Sequence, residues 1–408
     1  MNCIKVFCVM ATLCFYSTAE AATWYVHPDS TLNSIQVALD SCSDNDTVLV
    51  ASGLYYENIT WPNTQGIDLV SESGPATTII DGDSMGSVIT IPTGANLDST
   101  SRIDGLTIQN GYSVFGGGIY CRVSSGMPII TNNIVTANSA TLGGGIASGD
   151  FARPYIIANI INANSANVAG GIGCFSDSPT IIDNYIIGNT GVGISLEDEC
   201  SPMITGNVIS DNTGIGICID ELCAPPISNN TINNNGSHGI LATDASPAIH
   251  NCVIAYNGGD GILYCYGMKR SLDRALSVSF SDIFDNVGYG VKNLDSTLTI
   301  FAENNWWGDS TGPSGVGPGN GDEVSDWVDY EPWLFSPSAI HEQSIIRSVE
   351  DCSVISATIL RGPLQLAKGK KCKVFDITGR AVEPTTITHG IYFIEIDGVV
   401  TQKVVKIR

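Results

Sequence analysis

Glu197-Asp198 and Asp220-Glu221 lie in two near-copies of one segment, NTGVGISLEDECSP (189–202) and NTGIGICIDELCAP (212–225). Asp244 returns at the equivalent place in the next unit. Carboxylates repeated at one offset suit three kinds of chemistry. They can line a solvated turn, where Asp is favoured by local hydrogen bonding. They can supply the hard oxygen ligands that Ca2+ takes, so Glu197, Asp198, Asp220, Glu221 and Asp244 are candidate calcium ligands. They can also form an acid/base pair. On stacked strands such groups stand about 5 Å apart between neighbours and about 10 Å across two. Those values bracket retaining and inverting glycosidase geometry.

Other reactive residues are fewer. Cys200 and Cys223 each precede a proline by two positions. In stacked units their Cα atoms would be about 5 Å apart, within the disulfide range of roughly 4.4–6.8 Å. They are a disulfide candidate, the alternative being two reduced thiols. The insertion YGMKRSLDRA (266–275) holds Lys269, Arg270 and Arg274, which could bind an acidic sugar or offset nearby acids. His238 sits at an ordinary corner position, and His250 has no nucleophile beside it. No CxxC pair or Cys/His cluster suggests zinc.

These residues are positioned by a repeat. Pro128, Pro154, Pro179, Pro202, Pro225 and Pro247 recur every 22–26 residues. An asparagine series keeps the same spacing: Asn110, Asn138, Asn164, Asn189, Asn212, Asn235, Asn257 and Asn286. So does Gly followed by a β-branched residue, from Gly118-Ile119 to Gly290-Val291. Periods in this range mean a solenoid, propeller or array. The runs between them are short, alternating and β-branched, which suits strands. Two or three strands per unit of about 23 residues give one coil of a parallel β-helix. Stacked Asn amides would hydrogen-bond along it. Ile194, Ile217 and Ile240 should stack inward.

A solenoid needs caps. STLNSIQVALDSC (30–42) puts Leu32, Ile35 and Leu39 on one helical face, at the N-terminal end. NNWWGDSTGPSG (304–315) brings Trp306 and Trp307 to the other end, followed by Trp327 and Trp333. Residues 1–22 read as a secretory signal peptide: Lys5, an apolar run, then small residues. No later run is apolar enough to span a membrane. Residues 23–340 carry 33 Asp/Glu against 7 Lys/Arg, about −26, while residues 341–408 carry 7 against 10, about +3. So acidic a body repels nucleic acid and anionic membranes. Residues 336–351 read as a linker. Three alternating strands with glycine turns follow in 352–408, a small β-sandwich by pattern.

Two resemblances add to this. SIQVALDSCSDNDTVLVASGLYYENI, IDLVSESGPATTIIDG and NNWWGDSTGP resemble the secreted right-handed parallel β-helix proteins of the pectin-lyase-like superfamily, over residues 24–335. The resemblance implies the fold. It leaves the chemistry open, because that superfamily hosts lyases, hydrolases, esterases, epimerases and non-catalytic adhesins. The paired Asp-Asp, Gly-His-Gly and Arg-x-Lys of its pectin-hydrolysing members are absent. In the tail, Phe375-Asp376, Gly379-Arg380, Gly390-Ile391-Tyr392-Phe393 and KVVKIR (403–408) are similar to the C-terminal sorting domain of type IX secretion substrates. The usual Asn-Pro opening is missing. That resemblance implies an outer-membrane secretion machinery as partner.

The expectation is therefore an all-β chain: a right-handed parallel β-helix solenoid with an N-terminal helical cap, then a small C-terminal β-sandwich. It would be secreted or held at the cell surface. Its function would be binding of glycans or surface partners, or cleavage of a polysaccharide as a lyase or glycoside hydrolase.

Overall fold

The structure is a computed structural model. It describes residues 21–338 except 96, 98, 123–125, 221 and 267–275, and within the tail the strands of one further sheet. Of the signal-peptide reading of residues 1–22, residues 1–20 lie outside the described residues, and of the linker reading of 336–351, residues 339–351 do. Among the described residues no helix is long and apolar enough to cross a membrane.

Three parallel sheets wind around one core. Sheet 1 has thirteen strands, from Thr23–Val26 to Val328–Asp329. Sheet 2 has ten, from Gly53–Tyr56 to Asp282–Phe284. Sheet 3 has fourteen and includes Ile146–Gly149, Ser165–Phe175, Thr190–Glu197, Ile217–Ile219 and Ile240–Thr243. In most coils the chain passes from sheet 1 to sheet 2 to sheet 3, and two coils give sheet 3 two strands each, Tyr112–Phe115 with Ile119–Cys121 and Ser139–Leu142 with Ile146–Gly149. Ile194 pairs with Ile217 and Ile217 with Ile240, all fully buried, as the repeat predicts.

The three residue series now have physical causes. Pro154 and Pro225 enter strands of sheet 1 and lack an N–H to donate. Their carbonyls still accept from Thr180 and Ala248 of the next coil. Gly216 is required by close approach: a Cβ there would meet Gly239 O at 2.6 Å and the Ile232 side chain at 2.8 Å. The asparagines form a ladder between sheets 2 and 3. Asn189 donates its amide to Asn212 Oδ1 at 3.0 Å and to Ile161 O at 2.9 Å, and Asn212 repeats the pattern one coil on. Asn110 is not a rung. It has φ +58° and bonds Asp81, and the ladder position is Gly111, whose N–H donates to Asn138. At the other end Asp322 takes over from asparagine and accepts from Asn286.

A second ladder joins sheets 1 and 2. Asn133, Asn159, Asn184, Asn207 and Asn230 pass hydrogen bonds in the same way. It continues through Cys252, whose N–H donates to Ser281 Oγ, and Ser281 N–H donates to Asn305. Each rung follows a residue of positive φ, such as Asn132, Asp183 or Asn229. In the middle coils the turns at these rungs are two residues long, as at Asn132-Asn133 and Ala137-Asn138.

The ends are closed. Helix α1 (Ile35–Ser41) buries Ile35, Ala38 and Leu39. Ser34 Oγ caps it by accepting from Val37 N, and the Glu57 carboxylate accepts from the N–H groups of Ile35 and Gln36. Leu32 packs against this core. At the far end Trp307 is fully buried and Trp333 packs against the core. Trp327 does not cap: it sits at φ +63° and is exposed. In the tail, Ala357–Leu360, Cys372–Asp376, Ala381–Val382, Gly390–Ile396 and Val399–Lys406 form one mixed five-stranded sheet.

Candidate functional site

The third corner returns the chain from sheet 3 to sheet 1. Its residues take positive φ in coil after coil: Asp150 at 56°, Ser176 at 52°, Asp198 at 60°, Leu222 at 65° and Asp244 at 47°. Asp is among the residues that tolerate this conformation. So part of the acidic periodicity is backbone chemistry.

Over five coils these corners border an open cavity of about 780 Å³. Phe151, Arg153, Asp177, Glu197, Asp198, Glu199 and Asp220 line it, with Ser176, Ser178, Leu222 and Thr243. Strand register places the wall. Phe175 pairs with Glu197, and the pairing of Leu196 with Ile219 brings Asp220 beside Glu197 one coil on. Burial holds the Glu197 carboxyl above the usual carboxylate range, and the charges of Asp220 and Asp198 push the same way.

Asp177 is the most enclosed of these groups, at 4 % exposure. Its Oδ2 accepts from Ser148 Oγ, and its Oδ1 has no hydrogen-bond partner. Burial raises its pKa to about 7, against the pull of Ser148 and Arg153. Arg153 is exposed at the mouth. Asp177 was missed by the sequence argument because it stands one position past the periodic corner residue, which in its coil is Ser176.

An aromatic surface adjoins the cavity. Phe175 precedes the lining residue Ser176, and its ring lies over Gly173. Phe115 meets Phe175 edge-on at 6.4 Å and stacks on Tyr120 at 5.4 Å, with the rings 14° apart. Phe151 is 61 % exposed in the cavity wall.

The expected residues divide as follows. Glu197, Asp198 and Asp220 are brought together. Asp244 is not in the lining; it is buried, with one oxygen unpartnered. Glu221, Lys269, Arg270 and Arg274 lie outside the described residues. Among the described residues no three acidic, His or Cys side chains converge as a metal's ligand set. The proposed Cys200–Cys223 disulfide is absent: both are free and fully buried. Cys200 Sγ donates to Glu197 O at 2.8 Å and accepts from Asp177 N at 3.4 Å. Cys223 Sγ donates to Leu196 O at 3.8 Å. Burial holds both thiols up at about 12. Register-matched positions on stacked coils point their side chains in parallel, whereas a disulfide needs them to converge. His238 is structural: its Nδ1 accepts from Asp260 N at 2.9 Å.

A family model described as right handed beta helix region matches residues 93–247 and 226–306. No curated protein matches the chain. Three solved structures share the fold at low identity. One is a mannuronic acid specific polysaccharide family 6 lyase from human gut microbiota, at 11% identity and TM-score 0.42, covering 69% of this chain and 86% of that one. Another is the A-module of mannuronan C-5 epimerase AlgE6 from Azotobacter vinelandii, at 16% and 0.38, covering 73% and 94%. The third is pectate lyase Pel9A, at 14% and 0.41, covering 91% and 94%.

Proposed function

The chain belongs to the right-handed β-helix family, and from that premise we propose that it is an exported protein binding an extracellular glycan in the corner cavity and along the aromatic surface beside it. One observation carries this reading: a cavity of about 780 Å³, within the range of ligand sites, has Phe151 in its wall and Phe175 next in sequence to its lining residue Ser176. Sugar rings stack their apolar faces on aromatic rings, and their hydroxyls need acceptors such as Glu197 and Asp220. Rigid coils hold both sets in place without a cost of ordering on binding. Export rests on the signal-peptide pattern and on the tail's similarity to sorting domains. It implies delivery by an outer-membrane secretion machinery, to the medium or the cell surface.

The test is a panel of soluble polysaccharides offered to the purified protein, with binding and released products both measured. At least one glycan should bind, and the Phe151→Ala plus Phe175→Ala double variant should lose about tenfold or more in affinity. Absence of binding across the panel, or binding indifferent to both substitutions, would defeat the reading.

Cleavage of that glycan has its own support. Asp177, at about 7, holds a proton near neutrality beside Glu197, as an acid and its partner base must. On this second reading Asp177→Asn and Glu197→Gln would each abolish product release from a glycan that still binds.

A further inference from the structure

We propose that the cavity is built for an amine-bearing saccharide, of the hexosamine-oligomer class, whose ammonium group is taken by Asp177. This rests on the glycan reading above and goes on to name the ligand's charge.

The carboxyl of Asp177 is more than nine-tenths buried, lines the cavity and leaves Oδ1 unpartnered. Buried polar atoms in folded proteins are almost always satisfied. Oδ1 lacks a donor that a ligand N–H or O–H would supply. Charge then chooses between donors. Five carboxyls (Asp177, Glu197, Asp198, Glu199 and Asp220) line the cavity against one guanidinium, Arg153. The surrounding body carries 33 acidic against 7 basic residues over 23–340, so its long-range field has the same sign. A uronate would bring another carboxylate into that field. An ammonium would neutralise it, and a charge-assisted bond to Asp177 is stronger than a neutral one. Glu197 is consistent with this: burial, with the Asp220 and Asp198 charges beside it, pushes its carboxyl above the usual range, and a bound cation would pull it back. The aromatic rings supply what a bare polyamine or basic peptide would not need: flat faces at Phe175 and Phe151 for sugar rings.

The full chain would be titrated at about pH 7, where an alkyl ammonium is charged and Asp177 is in part ionised. The probes are a glucosamine tetramer, its fully N-acetylated counterpart, an oligogalacturonate and an oligolysine. The glucosamine tetramer should bind about tenfold or more tighter than the acetylated one, and oligogalacturonate should bind weakest. Asp177→Asn should remove most of that preference while changing the acetylated tetramer's affinity by less than about twofold. The rim variant Asp198→Asn plus Glu199→Gln, both at exposed positions, should narrow the preference and reduce its salt dependence. It keeps the question decidable if Asp177→Asn does not fold. Equal affinity for the free and acetylated tetramers overturns the amine assignment while leaving glycan binding intact. So does a preference for galacturonate. Oligolysine binding as tight as glucosamine binding overturns it too, since charge alone would then suffice. No binding of any saccharide defeats both this inference and the reading beneath it.

Discussion

Asp177 holds a proton that the unfolded chain would have released. Its folded pKa of about 7 lies above the 3.8 of an ordinary aspartate. Between those values the native state binds the extra proton, so this group's contribution to stability falls as pH rises from about 4 to about 7. Above 7 the loss is complete, on the order of 4 kcal/mol from the size of the shift. Asp177→Asn removes the titration. The variant should therefore gain on the wild type as pH climbs through that window, which thermal melts at pH 4.5, 6 and 8 would show; parallel curves for the two proteins would refute it. The buried thiols make a second residue-scale prediction. Cys200 and Cys223, held up at about 12, should resist alkylation in the native protein and react after denaturation. A native mass two protons lighter, with a linked peptide pair, would restore the disulfide. At this scale the sequence was only partly readable. Glu197, Asp198 and Asp220 announced themselves by period, but burial and an unpartnered oxygen have no signature in one dimension, and Asp177 stood off the period.

The element scale was the most legible, because a coil that must stack on its copy repeats its demands. Proline at strand entry, glycine at the closest approach and asparagine in the ladder are each imposed by a neighbour about 4.8 Å away. The second ladder keeps the same spacing in Asn133, Asn159, Asn184, Asn207 and Asn230. It escaped notice because Cys252 and Ser281 interrupt it, although a thiol and a hydroxyl still carry the bonds. Asn212 tests the rung. Its Oδ1 receives both the N–H and the amide of Asn189, and its own amide serves Ile186 O and Asn235 Oδ1. Asn212→Ala leaves several buried groups unsatisfied and should cost roughly 2–4 kcal/mol in urea denaturation. Asn234→Gly, at a turn position of φ +54°, should change stability far less. Similar losses from both would mean that the ladder is not what specifies the corner. Ile217→Asp, which buries a charge between Ile194 and Ile240, should prevent folding of the solenoid, as loss of the native far-UV circular dichroism would show.

At the scale of the whole molecule, charge is the feature that the fold does not explain. The core needs Ile, Asn, Gly and Pro at fixed places, and none of these sets a balance of about −26 over residues 23–340. Such a body repels itself, and the repulsion is largest where coils stack carboxylates in register, as Glu197 and Asp220 are stacked. Mobile ions weaken repulsion without needing a site. The melting temperature should therefore rise with sodium chloride between about 0.02 and 0.3 M, where the Debye length falls from roughly 20 Å to about 6 Å. Calcium separates a diffuse effect from a bound ion. If the effect is diffuse, calcium chloride and magnesium chloride at matched ionic strength should raise stability equally, and chelator should change nothing beyond its own ionic strength. A rise specific to calcium and lost in Asp198→Asn would show that the acidic corner binds the ion. The cavity would then carry a bound cation in place of a cationic ligand. The same salt series thus bears on the ligand's charge, because an ammonium and a calcium ion would compete for one set of carboxylates.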